Sequence, residues 1–126
     1  MPEYDGSLFT PPAPLARVSL RNPETGTTVN ELAMLLDSGA DVTLLPQSFV
    51  NQIGVAIDPN ESYELMGFGG SLSNARVVRL ELIFLRRAFK GRFLVIDQEW
   101  GLMGRDVLNH ISLLLDGPHL SWNEQS

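Results

Sequence analysis

The segment Ala33–Pro46, AMLLDSGADVTLLP, constrains the fold more than any other, because a carboxylate, Asp37, stands in a run that is otherwise almost wholly apolar. An unpaired carboxylate buried in a protein interior is costly unless it is protonated, paired or hydrogen-bonded. The chain is therefore expected to leave the core after Met34-Leu35-Leu36, turn at Ser38-Gly39 and re-enter at Val42. Gly39 permits a tight turn and the close approach of another group. The Ser38 hydroxyl is expected to bond main chain and fix the turn. The pattern describes a carboxylate on a short rigid loop at the end of a buried strand. Asp-Ser-Gly is also ordinary turn chemistry, so the triplet alone decides nothing.

The flanking sequence reads as short strands. Leu15–Arg21 places Val18 and Leu20 on one face, NPETGT is a turn, and Thr28–Leu36 leads into the Asp37 segment. Val42–Leu45 is a further short strand, and PQSFVNQIG a short helix with Pro46 near its start and Gly54 past its end. A turn is expected at DPNE, then two strands joined by a glycine-rich tip within SYELMGFGGSLSNARVVRLELIF. There Val78, Leu80, Leu82 and Phe84 alternate with Arg79, Glu81, Ile83 and Leu85. RFLVI is a strand apolar on both faces, GRDVLNH gives a helical turn or two, and ISLLLDG a closing strand. Many short strands, one or two short helices and no repeat make this a mainly β domain, a barrel or sandwich. The 126 residues divide into a proline-rich arm expected to be flexible (1–14), one domain (15–122) and a tail (123–126).

Composition removes several chemistries. The sequence contains no cysteine and only His110 and His119, which excludes a thiol nucleophile or cysteine-based zinc site and disfavours Ser-His catalysis. A formal charge of −6 argues against nucleic-acid binding, and the basic run Arg86–Arg92 reads as a solvated hairpin end. No apolar run reaches the roughly 20 residues that span a bilayer, so no membrane partner is expected. The start, MPEYDGSLFTPPAP, lacks the basic and apolar regions of a signal peptide. A free-standing cytoplasmic protein using Asp or Glu chemistry is the expectation.

Three segments, in order, carry a resemblance. LLDSGADVTLL resembles the active-site segment of the retroviral-type aspartic proteases (retropepsins), LMGFGGSL resembles their flap hairpin, and GLMGRDVL the Gly-Arg-Asp/Asn motif before their C-terminal helix. Together they extend the likeness from about Leu15 to Leu115. The variations, including the ending LLLDGPHLSWNEQS, look most like stand-alone cellular forms. The resemblance implies a retropepsin-like β-barrel completed as a homodimer, acting on peptide or protein substrates without cofactor or metal. Acid–base hydrolysis of a peptide needs two carboxylates, and the chain has one Asp-Ser-Gly. Asp37 would then face its twofold mate, the two sharing a proton as is general for aspartic proteases.

The resemblance also implies supporting roles. Ser38, where viral enzymes usually carry threonine, would lock the two loops together, with Gly39 beside it. Arg105 would pair with Asp41 and brace the loop. Met66, Gly67, Phe68 and Gly69 would form the flap over substrate, and Ala40 and Val42 would line its pocket. Leu102 and Met103 read as core. A dimeric module of the same fold that binds peptide or scaffolds a complex, with little or no hydrolysis, is the competing reading.

Overall fold

The structure, a computed structural model, describes residues 2–66 and 72–125. It is mainly β with two short α-helices, as the sequence pattern requires. Strand β1 (Tyr4–Asp5) lies on the end of β2 (Ala13–Arg21), which runs antiparallel to β3 (Thr28–Leu36). Strand β4 (Leu44–Pro46) passes directly into helix α1 (Gln47–Gln52). The long strands β5 (Ile57–Met66), β6 (Leu72–Phe84) and β7 (Arg87–Ile96) form an antiparallel meander. Strand β8 (Gly101–Met103) precedes helix α2 (Arg105–Leu108), and β9 (Leu113–Asp116) pairs with β10 (Ser121–Glu124) in a separate two-stranded sheet.

The main sheet closes on itself. Its order β2-β3-β8-β4-β7-β6 returns to β2 through a β2–β6 pairing, leaving β1 and β5 as flanking strands. Closure pairs the backbone groups that an open sheet would leave at its edges. β3–β8 and β4–β7 are parallel pairs, the others antiparallel.

Alternation builds the core. Val18, Leu20, Leu32, Met34, Val78, Leu80, Leu82 and Phe84 are buried together, each large side chain contributing about 1.5–3 kcal/mol by leaving water. A second cluster, Ala75, Val77 and Leu94, lies on the opposite face of β6 and β7 and packs against Val42, Leu44 and Leu65. The RFLVI segment is accordingly buried on both faces at Phe93, Leu94 and Val95. Trp122 of β10 seals one end of the barrel: it is buried, its ring meets Phe84, and its Nε1 donates to the Leu15 carbonyl at 3.1 Å.

Several local features depart from the sequence reading. The proline-rich arm contributes β1, because Tyr4 and Asp5 pair with Pro14 and Ala13 beyond the Thr10–Pro12 stretch. Strands β8 and β10 carry too few alternating residues to be recognised in the sequence. Asp58–Glu61 does not end a strand. Its turn chemistry survives as a register shift inside β5, with Asn60 N–H donating to Asp58 Oδ1. The β6–β7 reversal is a two-residue turn at Leu85-Arg86, both with positive φ (52° and 64°), a conformation usually left to Gly and Asn.

One charge sits inside this framework. Glu81 is almost fully buried, and Arg21 grips it through two bonds of 3.0 and 3.1 Å. Arg21, Glu81 and Lys90 occupy facing register positions on β2, β6 and β7, so the ion pair joins the strands that close the barrel. The Arg21 hydrogen bonds hold the Glu81 carboxyl below the usual range, outweighing burial, which acts the other way. A carboxyl depressed in the fold contributes stability that is present above its unfolded pKa and lost as pH falls through its folded one. Glu81→Gln should therefore lower Tm at about pH 7, with the difference from wild type shrinking towards about pH 3. Thermal melts that show the same difference at both pH values would contradict this role.

Candidate active site

The loop after β3 places Asp37 where the sequence requires, at the point where the strand leaves the core. Asp37 is half-buried, while Ser38, Gly39 and Asp41 are exposed and Ala40 and Val42 half-buried. The loop is held almost entirely through its backbone. Asp37 N–H donates to Met103 O at 3.0 Å, continuing the β3–β8 ladder one step beyond Leu36. Its carbonyl accepts from Ala40 N–H at 3.1 Å, closing the turn. Asp37 Oδ1 accepts from Gly39 N–H at 2.9 Å, an Asx turn made by the candidate catalytic carboxylate itself. Among the described residues the other oxygen, Oδ2, takes no hydrogen bond. A Cβ at Gly39 would lie 3.1 Å from Asp37 Oδ1, so a side chain there would press on the carboxylate.

The far side of the loop is tied to α2. Arg105 N–H donates to Ala40 O at 2.8 Å, and the Arg105 guanidinium Nη1 donates to Ser38 O at 2.7 Å. Two expectations are corrected by this geometry. Among the described residues Arg105 makes no ion pair with Asp41, because its backbone is anchored at Ala40 and its side chain runs back along the loop to Ser38. Nor, among the described residues, does the Ser38 hydroxyl fix the turn: the Asp37 carboxylate supplies that bond, and Ser38 contributes its carbonyl.

Residues that the sequence reading passed over do the remaining work. Thr43 is fully buried and stands between β4 and α2. Its N–H donates to Asp106 Oδ2 at 3.0 Å and its hydroxyl to Asp106 Oδ1 at 2.5 Å, while the same hydroxyl accepts from Gly104 N–H at 3.1 Å. A Cβ at Gly104 would come within 2.5 Å of Val42 O, so only glycine lets β8 and α2 approach the loop this closely. The signal was present as one hydroxyl, Thr43, in an apolar run, and an acid, Asp106, directly after Arg105.

Val42 packs on the second cluster, and Met103 is fully buried. Leu102, expected in the core, is half-buried and lines a cavity with Leu44, Leu65 and Trp100. Met66 ends β5, and the expected flap tip, Gly67, Phe68 and Gly69, lies outside the described residues. Among the described residues no group of three or more His, Asp or Glu side chains could hold a metal ion, and no helix is long and apolar enough to cross a membrane.

The fold, mainly β with two short helices, is similar to that of a retropepsin. A solved structure of the EIAV protease complexed with the inhibitor HBY-793 is similar to this chain, with a TM-score of 0.57 and 26% identity, covering 78% of this chain and 86% of that one. No family model matches the chain, and no curated protein sequence does.

If the Thr43 hydroxyl organises this junction, Thr43→Val should leave Gly104 N–H and Asp106 short of a partner and destabilise the protein by about 1–3 kcal/mol. Denaturant unfolding measures it, and Thr43→Ser should recover most of the loss. Equal stability of wild type and Thr43→Val would remove the hydroxyl from the account.

Proposed function

We propose that the chain is one half of a homodimeric aspartic endopeptidase that hydrolyses extended peptides between two Asp37 carboxylates, one from each copy. The observation that supports this reading is Asp37 itself: in a fold similar to that of a viral protease, it follows β3 half-buried on a loop held by hydrogen bonds to Met103 and Arg105 and by the Ala40 N–H to Asp37 O bond. Such clamping holds a reacting group in position before substrate arrives. With one Asp-Ser-Gly per chain, a second carboxylate is supplied most simply by a symmetric dimer.

Two facing carboxylates share one proton, leaving one ionised and one protonated. The ionised group takes a proton from water, and the water oxygen attacks the peptide carbonyl carbon. The protonated group gives its proton to the carbonyl oxygen. When the tetrahedral adduct collapses, the C–N bond breaks, the nitrogen receives a proton from the carboxyl that gained one, and the other carboxylate takes a proton from one of the adduct's two hydroxyls, which leaves a carboxylic acid product and restores the shared proton. Arg105 and Thr43 hold the loop in this scheme and exchange no proton.

The test is hydrolysis of a mixed peptide library across about pH 4–7, where a shared proton gives a bell-shaped profile centred below neutrality. Asp37→Asn, with its fold unchanged by circular dichroism, should lower the rate at least about a hundredfold, and a statine-type inhibitor should block the wild type. A profile flat through about pH 8, or Asp37→Asn as active as wild type, would overturn the mechanism. Peptide binding without cleavage by a dimeric protein would place the chain with the scaffolding modules.

A further inference from the structure

A cavity of about 530 Å³ is lined by residues of β4, β5, β6 and β8 and by the end of β7 with the segment that follows it. It lies near Asp37 by construction of the sheet. Leu44 pairs with Leu102, Leu102 pairs with Leu35, and Asp37 follows Leu36 on the same strand. Two strand spacings and two residue rises put the cavity roughly 10–12 Å from Asp37, within about three or four residues of extended peptide.

The floor is apolar, formed by Leu44, Leu65 and Leu102. Trp100 makes one wall, and its indole is held edge-on by Phe9 of the N-terminal arm, centroids 4.8 Å apart. Two residues of opposite charge, both solvent-exposed, line the same space: Arg76 from β6 and Asp97 from the segment after β7. Among the described residues neither makes an ion pair, with the other or elsewhere. Arg79 and Arg92, by contrast, share Glu61, and Lys90 joins Arg21 on Glu81.

We propose that this cavity is a specificity pocket for a carboxamide side chain, glutamine above all, with Arg76 donating to its carbonyl oxygen and Asp97 accepting from its amide nitrogen. A carboxamide offers an acceptor and donors in one planar group, so it answers both charges at once. A carboxylate gains Arg76 and meets Asp97 as a like charge, and a lysine meets the reverse pair. An aliphatic side chain covers both charges without answering either. The two methylenes of glutamine lie over the leucine floor. The chain's net charge of −6 weighs further against an acidic occupant. The inference rests on the proposed function only in taking an extended peptide as the occupant.

Binding tests it independently of cleavage. The probes are acetylated, amidated octapeptides with a reduced central bond, carrying Gln, Glu, Leu or Lys at one position scanned along the sequence. Fluorescence of Trp100 reports occupancy, since Trp122, the other indole, is buried in the core. At one position Gln should bind about tenfold more tightly than the other three. Asp97→Asn should bring Glu level with or above Gln at that position, and Arg76→Met should let Lys overtake Gln. The same order of affinities in wild type and both variants, or no fluorescence response to any peptide, overturns the proposal. The expected order without hydrolysis of the corresponding unreduced peptides would uphold the pocket and defeat the endopeptidase reading.

Discussion

The Thr43 hydroxyl is the contact on which the geometry around Asp37 depends. It accepts from Gly104 N–H and donates to Asp106, so a single oxygen binds the end of β8, the start of α2 and the entry to β4. With α2 fixed there, Arg105 reaches Ala40 O through its backbone and Ser38 O through its guanidinium. Met103 O, at the end of β8, takes the Asp37 N–H. The acidic loop is thus set by residues about sixty positions away in sequence, brought beside it by the parallel β3–β8 pairing. Buried hydroxyl and amide groups in such a junction are worth most when all are satisfied, and among the described residues no buried side-chain polar atom lacks a partner.

The same arrangement explains how an acid is tolerated in an apolar segment. Asp37 emerges half-buried at the rim, where Gly39 N–H satisfies one oxygen and the other carries no bond within the described residues. By contrast, the buried acid Glu81, on the face of β6 opposite the core residues Leu80 and Leu82, is gripped by Arg21 on the strand that closes the ring. One carboxylate is paired and holds strands together. The other is presented on exposed loop residues, which suits a surface completed by a second copy in the proposed enzyme.

Much of the frame was legible in the sequence because its signals are local. Thr28–Leu36 is the third strand residue for residue, and Gln47–Gln52 is helical between Pro46 and Gly54 as their backbone preferences require. The mainly β class followed from such segments. What escaped depends on partners distant in the chain. The three residues of β8 form a strand only because β3 and β4 flank them. The reversal at Leu85-Arg86 carries no glycine or asparagine to announce it. The expected Arg105–Asp41 pair was implied by the family resemblance, whereas in this chain the guanidinium reaches a loop carbonyl, that of Ser38. Thr43 looked like one more strand residue until Asp106 and Gly104 were placed against it.

The central claim is that one active site needs an Asp37 from each of two chains. Wild-type protein and Asp37→Asn are mixed under exchange conditions at constant total concentration, and peptide hydrolysis is measured against the wild-type fraction. If only pairs of wild-type chains are active, the rate follows the square of that fraction, falling to about one quarter in an equal mixture. A linear dependence, with about one half of the rate retained, would show that each chain works alone and contradict the account.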